Sequence, residues 1–156
     1  MIRRRFEEFV TAFELRATGK WFFLSSLIGC VAGFGAILFQ YLTHYVVEFS
    51  LAHFANYLPG EAVGELAGIE INAALFSPWM IVLVMTLGGL LSGIIVYTFA
   101  PEAEGHGTDA AIDSFHNHRG KINWRIPIVK TVASALTLGT GGSAGREGPI
   151  AQIGAG

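Results

Sequence analysis

Charge and cysteine are both scarce in this 156-residue chain. Charged residues make up 14% of it and apolar residues 52%, whereas a typical soluble domain has about 25% charged residues. So little charge argues against a water-soluble surface and predicts a membrane protein. Cys30 is the only cysteine, which excludes a disulfide within the chain and a metal site built on cysteines. No basic patch is dense enough to predict nucleic acid as a partner.

Two long segments contain no Asp, Glu, Lys or Arg at all, residues 21–47 and residues 78–100. At about 1.5 Å per residue, the first exceeds the hydrocarbon core of about 30 Å, so we expect a tilted helix. The second has the length of one transmembrane helix. Pro78 suits a first helical turn, and Pro101 should end the helix.

Each of these segments carries two glycines four residues apart. Gly29 and Gly33 lie in the first, where Gly35 extends the same smooth face, and Gly89 and Gly93 lie in the second. In lipid, such small residues let helix backbones approach closely. We therefore predict close helix packing at these five positions.

The distribution of Lys and Arg predicts an orientation. Residues 1–20 are mixed and charged and have the spacing of an amphipathic helix, and residues 48–77 contain no Lys or Arg. The segment 101–125 is polar again, and its end, residues 116–125, carries Arg119, Lys121 and Arg125. Short loops rich in Lys and Arg stay in the cytoplasm. We expect a cytoplasmic amphipathic segment at 1–20, followed by a multi-pass transmembrane region at 21–156 in a plasma or inner membrane.

A third apolar stretch, residues 126–139, is too short to span a bilayer comfortably and is interrupted by Pro127 and Lys130. Short hydrophobic segments broken by Gly or Pro are the best sequence indication of a transporter binding site. They predict helices that stop partway through the membrane, beside a protein-lined cavity.

Two glycine-rich stretches follow the same pattern. "GHGTDAAIDSFH" (105–116) and "GREGPIAQIGAG" (145–156) each predict a flexible loop that leads into a helix. Thr108 or Asp109 is the expected N-cap of the first helix, and Pro149 marks the start of the second. A helix N-terminus has unpaired N–H donors and a partial positive charge, so two of them could bind an anion without a full positive charge.

Three ionisable side chains in or between these stretches have alternative interpretations. Glu147 could occupy the anion position when ionised and leave it when protonated, or it could pair with Arg146. Lys130 could add positive potential to an anion path, or it could snorkel or bind a carbonyl. His106 could donate to an anion or simply cap its loop.

A competing motif, "GTGGSA" at 139–144, fits a dinucleotide-binding pattern. That motif needs a preceding strand, whereas here it follows a segment that belongs to a series of membrane spans. Asp109 and Asp113 are better explained by capping and solvation than by a metal site. We therefore predict no enzymatic activity, no cofactor and no metal.

The second glycine-rich stretch closely resembles the signature of the CLC family of chloride channels and proton-coupled chloride exchangers. "GHGTD" is similar to that family's earlier anion-binding signature, usually Gly-Ser-Gly-Ile-Pro. The order and spacing of segments match from about Trp21 onward. The resemblance implies an all-α integral membrane protein, the N-terminal part of an inverted-repeat fold with long tilted helices and partial-span helices. It also implies a homodimer with a separate pore in each subunit.

The resemblance implies roles for individual residues. Glu147 resembles the external gating glutamate, which carries protons in exchangers, and Lys130 falls on a basic position near the pathway. The positions expected around the anion are Gly105, His106, Gly107, Gly145, Arg146 and Gly148. His106 departs from the family's usual serine, which bears on ion selectivity, and an imidazole there would add pH sensitivity.

The expected function is therefore chloride transport, as a voltage-gated-type channel or an H⁺/Cl⁻ exchanger in a lipid bilayer. Family members carry a further inverted half that these 156 residues do not include. We therefore expect the chain to be an N-terminal fragment. The alternative is a truncated membrane protein that does not transport and instead associates with full-length subunits.

Overall fold

The computed structural model describes residues 15–59 and 76–156, and all regular structure in these two ranges is helical. Most of the predicted amphipathic segment 1–20 lies outside the described residues, as do residues 60–75 of the segment 48–77 that contains no Lys or Arg. The principal helices, in chain order, are α1 (Leu15–Val47), α2 (Pro78–Phe99), α3 (Thr108–Asn117), α4 (Arg125–Gly139) and α5 (Glu147–Ala155).

Helices α1 and α2 confirm the two predicted apolar helices. Helix α1 continues through a π-helical turn (Glu48–Ala52) and a final α-helical turn (His53–Ala55). Both it and α2 are long and apolar enough to cross a membrane. Many of their large apolar side chains remain exposed, including Phe22 at 71% and Tyr41 at 74%. This is the surface expected of helices that face lipid or further protein.

Proline sets both ends of α2, as predicted. Pro78 occupies the first turn, where its missing N–H costs nothing. The helix ends at Phe99, and Pro101 begins a short 3₁₀ turn (Pro101–Ala103) that leads toward α3. The turn brings the chain to the first glycine-rich stretch.

The predicted close packing at the four spaced glycines does not occur within the described residues. A Cβ atom added at Gly29, Gly33, Gly89 or Gly93 would meet no atom within 4 Å. The close approaches of these helices are at Gly35, as predicted, and at Gly88 and Gly139, where an added Cβ atom would meet Ile153, Thr140 and Val46 respectively. The reason is that α1 and α2 turn other faces toward α4 and α5.

Helix α4 packs against both α1 and α2 through small side chains and hydroxyl groups. Ala135 is completely buried. Ser92 of α2 donates to the Ala133 carbonyl at 2.9 Å, and Ser50 of the π-helical turn donates to the Gly139 carbonyl at 2.9 Å. In lipid, such hydrogen bonds and close packing take the place of hydrophobic association.

The length of α4 agrees with the predicted partial-span helix. Its 15 residues extend about 22 Å at 1.5 Å per residue, which is less than a hydrocarbon core of about 30 Å. The helix is therefore too short to cross a bilayer by itself, and its end at Gly139 passes the chain directly into the second glycine-rich stretch.

Candidate functional site

The first glycine-rich loop, residues 105–107 (the first loop), turns the chain sharply into α3. Gly105 and Gly107 have φ angles of 79° and 98°, which a side chain would strain. Gly107 occupies the N-cap position, and no side chain caps the helix. The predicted N-cap at Thr108 or Asp109 is therefore wrong, because the glycine turn starts the helix earlier. The first-turn N–H groups of α3 have no side-chain cap.

Residues 145–148 of the second glycine-rich stretch (the second loop) comprise the end of the turn and the first two residues of α5. The helix begins at Glu147, with Arg146 at the N-cap position and no side-chain cap. The prediction that Pro149 starts the helix is therefore wrong, because Pro149 is the third helical residue. The position is tolerated because the N–H groups of the first turn have no partner within the helix.

The two loops meet through glycine backbone. A Cβ atom added at Gly148 would overlap the carbonyl oxygen and the Nδ1 atom of His106. A Cβ atom added at Gly107 would lie 2.7 Å from the Gly148 carbonyl oxygen. Both glycines are buried. No larger residue fits at Gly148 without moving His106, and this contact sets the N-termini of α3 and α5 side by side.

The predicted site side chains take different positions around this contact. Glu147 lies in the first turn of α5 and is exposed. His106 is also exposed, and its Nδ1 atom lies 3.4 Å from the Thr108 hydroxyl. Arg146 extends toward α1, where its Nη1 atom donates to Gln40 Oε1 at 3.1 Å. The Arg146 side chain thus binds the second loop to α1.

Lys130 is buried, with 4% of its surface exposed. Its ammonium group donates to the carbonyl of Ala103 at 3.1 Å and to the carbonyl of Gly105. Of the alternative interpretations, binding to carbonyls is the one observed. These bonds also hold the Lys130 ammonium group against the first loop. Whether its charge contributes to the potential near an anion is not tested by them, and that interpretation stays a prediction.

Sequence reasoning missed Gln152, which lies beneath the contact between the loops. A Cβ atom at Gly107 would be 3.0 Å from Gln152 Oε1 and 3.2 Å from Gln152 Cβ. The available signal was its chemistry: Gln152 is a lone amide in the apolar run "IAQIGA". Gln40 gives the same signal within the first apolar segment.

Comparison with known proteins identifies the family to which this site is related. Residues 88–156, which contain both loops and α3 to α5, match the family model for voltage gated chloride channels. The chain is homologous to the CLC family of chloride channels and exchangers. No solved structure matches it.

The similarity to individual CLC proteins extends over most of the chain. This chain is 32% identical over 130 residues to chloride channel protein CLC-e of Arabidopsis thaliana, and the matched region covers 83% of this chain and 16% of that protein. It is 31% identical over 132 residues to the H(+)/Cl(−) exchange transporter ClcA of Vibrio vulnificus, covering 85% and 26%. For ClcA of Klebsiella pneumoniae the values are 29%, 85% and 25%. The chain spans about a quarter of the length of these bacterial CLC relatives, and less of the plant one.

These comparisons agree with the fold. The helices of the described ranges, two of them long and apolar enough to cross a membrane, are consistent with the N-terminal part of a CLC transmembrane domain. The similarity to CLC proteins and the two long apolar helices support a membrane location.

Proposed function

We propose that this chain supplies part of a chloride pathway across a membrane, in a CLC-type channel or H⁺/Cl⁻ exchanger. One observation carries the proposal: the contact between Gly107 and Gly148 sets the N-termini of α3 and α5 side by side. Neither N-terminus has a side-chain cap. Their N–H groups are thus available to a ligand at one place.

The chemistry of two adjacent helix N-termini favours an anion. Each helix end carries roughly half a positive charge together with unpaired N–H donors. Such an end binds chloride without a full cationic charge. The residues whose backbone we propose lies around the anion are Gly105, His106, Gly107, Gly145, Arg146 and Gly148.

Glu147 is the proposed gate. It lies in the first turn of α5, so its ionised carboxylate would compete with chloride for the same positive helix end. On protonation the carboxyl becomes neutral, and this attraction is lost. One side chain would thus open the path and, in an exchanger, carry the proton.

The surroundings of the site follow from the same proposal. Lys130, bound to the first loop, adds positive potential to the path. The N-terminus lies in the cytoplasm, and the long apolar helices contact the lipid bilayer. The functional unit is a homodimer with one path in each subunit.

The test is chloride flux in liposomes. The coding sequence would be read beyond Gly156, and the full product would be reconstituted and assayed with and without a proton gradient. We expect chloride flux. If it drives proton movement, Glu147→Gln should abolish that movement. Glu48→Gln is a matched control, because it makes the same change in the π-helical turn of α1. Absence of chloride flux from the full product would contradict the proposal.

The alternative function is a chain that does not transport and instead associates with longer CLC subunits. The many exposed apolar side chains of α1 and α2 favour it, because they offer a large surface to further protein. It predicts co-purification with a full-length subunit and no flux from the chain alone.

A further inference from the structure

An apolar groove of about 430 Å³ lies between α2 and α4, within the range of about 300–1,000 Å³ that is typical of ligand sites. Its walls are Ile95 and Phe99 from the end of α2 and Ile128, Val129 and Val132 from the first half of α4. On each helix these positions share one face. Phe99 and Ile128 are more than half exposed, so the groove is open to the surroundings of the two helices.

Trp124 and Arg125 form one end of this groove, where the preceding loop meets α4. The guanidinium carbon of Arg125 lies 5.7 Å from the centre of the Trp124 ring, which places the two side chains in cation–π contact. Tryptophan is enriched at the boundary between hydrocarbon and water. Arginine binds phosphate groups through paired hydrogen bonds. The groove therefore combines an apolar length with a cationic end of the kind found at a membrane surface.

The positive charge of Arg125 is not neutralised by neighbouring side chains. No Asp or Glu occurs in residues 114–146. The carboxylates that precede this segment line other pockets, Glu102 and Asp113 in one and Glu104 in another. Among the described residues, Arg125 forms no ion pair. Its charge is therefore available to an anion from outside the described part of the chain.

We propose that this groove binds an anionic phospholipid, with the phosphate on Arg125 and an acyl chain along α2 and α4. Such a lipid supplies both chemistries of the groove in one molecule, and basic pockets between transmembrane helices are known to bind anionic head groups. In the proposed orientation, Arg125 faces the cytoplasmic leaflet, which carries the anionic lipids. The proposal requires a membrane location but does not depend on chloride transport.

The first test compares two lipids that differ in net charge. The full product, purified in a neutral detergent, would be titrated with phosphatidylglycerol and with phosphatidylcholine of the same acyl chains, and binding would be followed by native mass spectrometry. We expect phosphatidylglycerol to bind at least about fivefold more tightly, because Arg125 attracts its net negative charge. Equal affinities for the two lipids would overturn the proposal.

The second test asks whether Arg125 is the residue that provides this preference. Arg125→Gln should remove the preference for phosphatidylglycerol. The matched control is Arg119→Gln, which makes the same change at an exposed residue of the same basic segment, outside the groove. It should keep the preference. Loss of the preference in both variants would show a general attraction to the basic segment, and loss in neither would exclude Arg125. Either result would overturn the proposal.

The third test examines the apolar part of the groove. Ile128→Asn should weaken binding of both lipids by about threefold or more, because the acyl chain loses an apolar contact. Ile94→Asn, at an exposed position of α2 outside the groove, should change binding little. Equal effects of the two changes would show that the groove does not hold the chain, and would overturn the proposal.

Glycerol phosphate, which lacks acyl chains, distinguishes a lipid site from a site for free phosphate. It should compete with phosphatidylglycerol at least about tenfold less well than the lipid itself, because it cannot fill the apolar walls. Equal competition would overturn the proposal in favour of a free anion. If further protein or a second copy covers the groove instead, neither Arg125→Gln nor Ile128→Asn will change lipid binding. All of these readouts are independent of chloride flux, so failure of this proposal and failure of the proposed function are distinguishable.

Discussion

The first and second loops meet at one contact but are fixed to the rest of the molecule in different ways. The first loop is fixed to α4, because Lys130 of that helix donates to the carbonyls of Ala103 and Gly105. The second loop is fixed to α1, because its own Arg146 donates to the amide oxygen of Gln40. Each loop thus has a cationic side chain and a helix of its own. The contact between the loops depends on how α1 and α4 are packed together.

Replacing the glycine at the contact should have the largest effect. In Gly148→Ala the new methyl group would overlap the backbone and ring of His106. Because backbone cannot move aside easily, we expect a loss of about 3 kcal/mol in stability, together with loss of chloride flux. Denaturant unfolding in detergent measures the first, and liposome assays measure the second.

The matched control for this change is Gly89→Ala, where an added Cβ meets nothing within 4 Å. It should leave stability unchanged or raise it slightly, because alanine favours a helix over glycine. Equal losses from both variants would show that the contact between the loops has no special role.

Removing the anchor of the first loop should have the next largest effect. Lys130→Met keeps the length of the side chain but leaves the carbonyls of Ala103 and Gly105 without this donor. We expect about 2 kcal/mol of lost stability. Lys20→Met, at an exposed position of α1, is the control and should change little. If the unfolding curves of Lys130→Met and the unchanged protein coincide, the Lys130 hydrogen bonds do not stabilise the first loop.

Removing the acceptor at the second loop should cost less. Gln40→Leu takes one hydrogen bond from Arg146, and the site is only partly buried, so we expect about 1 kcal/mol. A loss larger than that of Lys130→Met would reverse the comparison and make α1 the main support of the site.

The smallest effect on stability is expected at His106. Its side chain is exposed, so His106→Ser should change stability by less than about 0.5 kcal/mol. Anion preference and the pH dependence of flux should change instead, because the imidazole beside the proposed path is replaced by a hydroxyl group that does not become charged. An unchanged anion preference and an unchanged pH profile would remove His106 from the site.

The helices could be predicted from sequence because their causes are local. The absence of charge from residues 21–47 and 78–100 marks the two long helices, and Pro78 and Pro101 mark the bounds of α2. Glycines at 105 and 107 indicate the turn into α3. Each of these signals acts within a few residues of the structure that it specifies.

Packing could not be predicted in the same way, because it depends on which helix faces reach each other. The spacing of Gly29 and Gly33 is the expected pattern for close approach, yet of the three glycines predicted to pack on α1 only Gly35 does so. The helix starts were also misplaced by one or two residues. Gln152 went unnoticed because burial beneath another loop leaves no local pattern in the sequence.

The connection from α4 to α5 has one further property, which is mechanical. Its beginning is tied to α1 by the bond from Ser50 to the Gly139 carbonyl, and its end is tied to α1 by the bond from Arg146 to Gln40. The two attachment points, Gln40 and Ser50, are ten residues apart, which is about 15 Å along the helix. Both ends of the connection are therefore held by the same helical segment. A change in the tilt of α1 would therefore displace both ends of the connection, and with them the start of α5, where Glu147 lies.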